Sequence, residues 1–215
     1  VSRGNIQPMV ATLVLMVAGR GIAQLITSGQ IITVYFTPYF FIGNGYLAAV
    51  PFTLFIVATV GLLAWLLTRK TAVGLFVESV GINARSSFYS GINEKNIKLL
   101  VYTISGLCAG IAGLIVSSNI KSADANNAGL GYELDAILAV VIGGTLMSGG
   151  RFSLAASIVG ALVIQSMTTT MYAIGVPAMA AQAVKALVVM AVILLYSPQF
   201  RAWISGLFAR KEARS

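Results

Sequence analysis

Apolar residues fall in long runs separated by short polar stretches, and the lengths of the runs predict membrane-crossing helices. Crossing the hydrocarbon core takes roughly 20 apolar residues in a helix. Residues 9–29 qualify with one interruption, Arg20, and residues 50–68 and 99–118 carry no charge. Residues 136–150 are uncharged but short. The run 152–184 is too long for one helix, and Gly175 and Pro177 mark a turn inside it. Dividing it there gives spans near 152–172 and 180–196, the latter containing Lys185. The pattern therefore predicts an all-α, polytopic transmembrane helical bundle with about six spans. Residues 1–215 make a single transmembrane domain, 69–98 its longest polar segment and 197–215 a polar tail.

Composition agrees. Charged residues are 9% of the 215 and the hydrophobic set is 58%, whereas soluble domains run near ~25% charged. A water-soluble fold of this size cannot hide that much apolar surface. No histidine is present, which excludes imidazole acid–base catalysis and His-ligated metals. Cys108 is the single cysteine, and its apolar surroundings fit a small packing residue. The net charge of +8 does not indicate nucleic acid, because the charges sit between apolar runs and form no dense basic face.

Six crossings put both ends of the chain on one side, and the basic residues say which. Arg3, then Arg69, Lys70, Arg85, Lys95 and Lys98, then Arg151, then Arg201, Arg210, Lys211 and Arg214 lie on the terminal side, eleven of the 14. Lys121 alone lies opposite, beside Asp124, Glu133 and Asp135. Basic loop residues accumulate in the cytoplasm, so both ends and the 69–98 segment are expected there. The first residue is valine and no secretory signal follows, which reads as a fragment of a longer protein.

Within 69–98, Asn83 can cap a helix start, 84–90 can form two turns, and Gly91 can supply a left-handed stop. Such a helix would carry Phe88 and Tyr89. It either rests on the bilayer surface or docks a partner, since exposed aromatics favour interfaces.

The runs Gly81-Ile82-Asn83 and Ser90-Gly91-Ile92 resemble the coupling-loop signature of bacterial ABC-type sugar permeases of the ribose class. Gly129-Leu130-Gly131-Tyr132-Glu133-Leu134-Asp135-Ala136-Ile137, Val140-Val141-Ile142-Gly143-Gly144 and Gly149-Gly150 look like the same family's hallmark, and Gln7-Pro8, Ala11-Thr12-Leu13 and Arg20-Gly21 match as well. The runs 123–130 and Gly149-Gly150-Arg151-Phe152 look most like the galactofuranose permeases within that class. Ser86-Ser87 stands where the family usually has paired alanines, and Leu138 where it has alanine.

The resemblance implies a monosaccharide importer of the inner membrane, carrying galactofuranose or a ribose-like sugar, of which this chain is the carboxy-terminal portion. It also implies a second permease subunit, a periplasmic sugar-binding protein and a cytoplasmic ATP-binding subunit. ATP and Mg would be bound by that last partner and no cofactor by this chain. Gly81, Asn83, Ser86, Ser87, Phe88, Tyr89, Ser90, Gly91 and Ile92 would then couple to the ATPase. Two rivals are an ion-coupled secondary transporter and a truncated remnant that transports nothing.

Inside the spans, Gly106, Gly110 and Gly113 follow at helix-packing intervals, and small residues at such spacing let two backbones approach closely. Gly143-Gly144 and Gly149-Gly150 lack the Lys-Ser/Thr of a phosphate loop, so the chain is no ATPase by itself. They fit a short span that unwinds at its end. Arg20, Gln24 and Thr27 share one helix face, and Gln165, Thr168, Thr169 and Tyr172 another. Arg20, Gln24, Gln165, Thr169 and Tyr172 are thus candidates to line a sugar pathway, with interhelix hydrogen bonding as the competing use. Lys185 either faces a cavity or snorkels to the surface. Asp124, Asn126, Asn127 and Glu133 either meet the sugar-binding protein or form a solvated loop.

Overall fold

The structure is a computed structural model that describes residues 7–47, 49–145, 149–150 and 152–196. The expected 197–215 tail, Arg3 and Arg151 lie outside the described residues. Nine helices and four two-residue strands follow in order among them: α1 (Pro8–Thr27), β1 (Ile32–Thr33), α2 (Thr37–Asn44), β2 (Tyr46–Leu47), β3 (Val50–Pro51), α3 (Phe52–Lys70), α4 (Ala72–Ile82), α5 (Ala84–Tyr89), α6 (Glu94–Ile120), β4 (Ser122–Ala123), α7 (Tyr132–Ile142), α8 (Leu154–Ala173) and α9 (Ala178–Tyr196). The molecule is all-α, as its runs predict.

Four helices, α1, α3, α6 and α8, are long and apolar enough to cross a membrane. α9 has 19 residues and covers the sixth expected span. The fourth span departs from expectation. Its helix starts at Tyr132 and stops at Ile142, 11 residues in all, or about 16 Å at 1.5 Å per residue. Half the thickness of a ~30 Å hydrocarbon core is all that α7 covers by itself. The helix ends where the glycines begin. Gly144 N–H donates to the Val141 carbonyl at 2.9 Å and Thr145 N–H to Val140 at 3.2 Å, the two bonds of a Schellman stop. The turn between α8 and α9 closes in the same way, with Gly175 at φ 86° donating to Tyr172 and Val176 to Met171, each at 3.0 Å.

The chain divides into two compact units, residues 1–131 with 149–151 and residues 132–148 with 152–215. In the first, α2 packs on the end of α6, and Ser118 is what holds it. Its hydroxyl donates to the Tyr39 carbonyl at 2.7 Å and accepts from the Gly43 N–H at 2.8 Å. Asn44 Nδ2 adds bonds to the carbonyls of Ser118 and Asn119, and Thr53 Oγ1 ties the start of α3 to the end of α2. β1 pairs antiparallel with β4, and β2 with β3. No sequence signal announced α2, an eight-residue helix with Pro38 in its first turn.

In the second unit, α7 and α8 lie against each other, and glycine permits it. A Cβ at Gly160 would sit 2.1 Å from the Ala139 carbonyl oxygen, and one at Gly143 would sit 2.7 Å from the Ala156 backbone. Leu138, Ala139, Ile164 and Ala181 form the buried apolar centre of this unit. Among the described residues nothing packs closely on Gly106, Gly110 or Gly113, for a Cβ at any of them meets nothing within 4 Å. Nothing on α1 or α3 is buried either, which suits faces solvated by lipid.

Gly160→Ala should therefore lower thermal stability in detergent, by the ~1–3 kcal/mol typical of overpacking, because the atom in its way is backbone. Gly106→Ala should change little. Equal melting curves for the two variants would contradict this account of the α7–α8 contact.

Candidate functional site

Residues 71–94 build a helical elbow. Thr71 caps α4, accepting from Val73 N–H at 3.3 Å, and α4 runs to Ile82. One residue later Asn83 caps α5, its Oδ1 accepting from Ser86 N–H at 3.1 Å. Asn83 has extended backbone, φ −154° and ψ 101°, so it ends one helix and begins the next. Ser87 is buried, its hydroxyl donating to the Asn83 carbonyl at 3.0 Å and its own carbonyl accepting from Ile92 N–H at 3.0 Å. Ser90 closes the helix, and Gly91 turns the chain at φ 84°. Asn93 then caps α6, with Glu94 in the first turn pairing with Lys98 at 3.2 Å.

What this elbow presents outward is aromatic. Phe88 and Tyr89 are 66% and 88% exposed, with rings edge-to-face at 6.1 Å. Beside them Ala84, Arg85 and Glu94 complete a shallow groove of about 260 Å³. The expected Asn83–Gly91 helix is thus present with its expected cap. Gly81 is not part of that outward face. A Cβ on it would lie 3.2 Å from Gly150 N, and a Cβ on Gly149 would lie 2.6 Å from the Gly81 carbonyl. Two sequence motifs almost seventy residues apart thus meet backbone to backbone, which spacing along the chain could not reveal.

The 122–131 loop is held by its own side chains. Asp124 Oδ1 accepts from the N–H groups of Asn126 and Asn127 at 2.9 and 3.0 Å, and Oδ2 accepts from Asn127 Nδ2 at 3.1 Å. The Asn127 bonds, then that of Asn126, hold the Asp124 carboxyl below its ordinary range. Asn126 is engaged on both faces of its amide. It accepts from Gln24 Nε2 at 2.9 Å and donates to the Gly29 carbonyl at 3.0 Å, fastening the loop to the end of α1. Gln24, a candidate pathway residue, and Asn126, a candidate binding-protein contact, are therefore bonded to each other. Glu133 belongs to the second unit, exposed on the first turn of α7.

The five candidate pathway residues do not form one cluster within either unit. Arg20 and Gln24 sit on α1 in the first, and Gln165, Thr169 and Tyr172 on α8 in the second. Thr169 donates to the Gln165 carbonyl at 2.9 Å, and Thr27 and Thr168 bond back along their helices likewise. Such hydroxyls keep only acceptor capacity for anything else.

Lys185 has a partner that sequence reading missed. Its Nζ donates to Asp135 Oδ2 at 2.7 Å, and both side chains are mostly buried. The sequence pattern puts Asp135 beside the polar loop at Lys121, but it lies on α7 and pairs with a residue of α9. Charge complementarity was the available signal, and a separation of 50 positions along the chain concealed it. Asp135 also lines an open cleft of about 340 Å³ with Tyr132 and Gln165, its apolar lining three alanines and Ile164. Among the described residues no group of three or more Cys, Asp or Glu side chains is placed to hold a metal.

Comparison with known proteins adds the following. The family described as branched-chain amino acid transport system / permease component matches residues 1–196. The chain is 53% identical over 208 residues to the galactofuranose transporter permease protein of Escherichia coli K12, covering 97% of this chain and 61% of that protein. It is 41% identical over 213 residues to the fructose import permease protein of Bifidobacterium longum, covering 97% and 60%. A ribose import permease protein of Haemophilus influenzae is 36% identical over 198 residues, covering 90% and 61%. The chain thus spans about three fifths of the length of these curated relatives. No solved structure matches it.

Because the Asp124 carboxyl is shifted downward, its support for the loop is complete above the ordinary value of 3.8 and lost as pH falls through the lower folded value. Amide protection factors at Asn126 and Asn127 should hold at neutral pH and drop in acid below about 3.8. Asp124→Ala should remove the same protection at neutral pH, and protection indifferent to both changes would contradict the bonding described.

Proposed function

We propose, because the chain belongs to the permease-component family of branched-chain amino acid transport systems, that it is part of the membrane-spanning subunit of an ATP-driven importer. Its cargo is a monosaccharide, and its site is a bacterial inner membrane. The observation that carries the cargo is the 53% identity to a galactofuranose permease across nearly all of the chain. Relatives named for fructose and ribose support the same chemical class. A neutral cargo also suits the Asp135–Lys185 ion pair, whose charges cancel.

The chain works with a second permease subunit, a sugar-binding protein on the outer side and an ATP-binding subunit in the cytoplasm, which holds ATP and Mg. The excess of basic residues in alternate loops supports a cytoplasmic side for the 69–98 segment and both ends of the chain. The exposed rings of α5 then seat in the ATP-binding subunit. A capped two-turn helix moves as a rigid piece, and Asn83 joins it directly to α4. α4 in turn abuts Gly149 and Gly150, four residues before α8 begins. Closure of the ATP-binding subunits thereby reaches the span before the elbow and the backbone at Gly149 and Gly150.

Reconstitution into proteoliposomes with the ATP-binding and sugar-binding partners tests this reading, with galactofuranose, fructose and ribose presented in turn. One of them should stimulate ATP hydrolysis several-fold and accumulate inside; hydrolysis indifferent to all three would refute a sugar importer. Phe88→Ala with Tyr89→Ala should weaken association with the ATP-binding subunit at least about tenfold, the scale of an interface hot spot. Insertion should remain intact, and co-purification of that variant at full yield would remove α5 from the interface.

A further inference from the structure

We propose that the cleft between α7 and α8 is a contact point for the transported monosaccharide. Asp135 and Gln165 hydrogen-bond it, Tyr132 offers a ring face, and Lys185 positions Asp135. This inference rests on the sugar-import reading above and assigns that cargo a place.

The geometry points there for four reasons. Asp135 Oδ2 is held by Lys185 Nζ at 2.7 Å, while Oδ1 has no hydrogen-bond partner among the described residues. An ionised carboxylate has about four lone-pair sites, so one fixed oxygen leaves ample capacity for hydroxyl donors. The Gln165 side-chain amide is likewise without a partner among the described residues, and it supplies two donors and an acceptor. Next, the remaining lining is Ala136, Ala139, Ala161 and Ile164, a small-residue floor that suits the C–H face of a sugar ring. At about 340 Å³ the cleft lies at the small end of the roughly 300–1,000 Å³ usual for ligand sites.

Charge gives the third reason. The pair is neutral as a whole, and an anionic or cationic cargo would have to break it, whereas hydroxyl groups add to it. Rigidity gives the fourth. The walls of the cleft meet at Gly160 and Gly143 with no room for a methyl group, so the polar groups are held in place before cargo arrives. Few contacts, from one side, also suit a site that must release what it binds.

The test uses the assembled transporter in proteoliposomes and initial uptake of whichever of the three sugars the wild type accumulates. Asp135→Asn and Gln165→Ala should each lower uptake by about tenfold, the scale of one hydrogen bond to a charged or buried group. Co-purification with the ATP-binding subunit should stay at wild-type yield. Exchanging the pair, Asp135→Lys with Lys185→Asp, separates contact from scaffolding. The reversed pair should restore thermal stability lost in Lys185→Met and leave uptake low, because an ammonium then stands where the carboxylate accepted. Uptake restored by the reversed pair would make the pair a strut and overturn the proposal, as would wild-type uptake by both single variants. A wild-type assembly that accumulates none of the sugars would instead refute the importer reading itself, before any variant is compared.

Discussion

Hydrocarbon offers no partner to a peptide N–H or C=O, so every polar group of the chain that enters it must be satisfied from within. This is why the apolar runs are helices, and it also explains the details between them. Threonine hydroxyls on α1, α3, α6 and α8 return to carbonyls of their own helix. Where a helix stops, its end is bonded at once: by Ser118 between α2 and α6, by paired turn bonds after α7 and α8, and by Asn126 at the end of α1. The two-residue strands serve the same need, pairing connector backbone that has no helix to belong to.

Against that background, groups left unsatisfied stand out. Two rings on α5 are exposed where the segment is rich in polar residues, and the Gln165 amide on α8 lines a cleft with no partner among the described residues. The first arrangement resembles half of a protein interface, with aromatic bulk presented on a rigid capped turn. The second resembles half of a solute site, with planar polar groups set over an apolar floor. Within the first unit, α5 is joined through the single residue Asn83 to α4, whose Gly81 meets the backbone of residues 149–150. Lys185 and Asp135 illustrate the same economy of polar groups, each offsetting part of the cost of the other's burial.

The sequence by itself determined the class of molecule and most of its helices. Runs of apolar residues placed α1, α3, α6, α8 and α9 within a few residues, because length and hydropathy are local properties. The α5 cap at Asn83 and the α8–α9 turn at Gly175 and Pro177 were equally legible, since caps and turns depend on the residues that make them. Family motifs drew attention to the 81–92 segment, whose function neighbouring residues alone do not disclose.

Tertiary structure alone decided what those residues touch. Small residues mark a helix face that can approach another closely, but not whether one is there; among the described residues Gly143 and Gly160 meet a neighbour, and Gly106, Gly110 and Gly113 do not. α2 exists because Ser118 and Asn44 tie it to α6, some 75 residues away, and its eight residues carry too little periodicity to announce it. The partners Gln24 and Asn126, Gly81 and Gly149, and Asp135 and Lys185 were each visible as residues and invisible as pairs. The physical reason is one of range: hydropathy, caps and turns act over a few residues, whereas a hydrogen bond or ion pair between helices is fixed by how the spans pack.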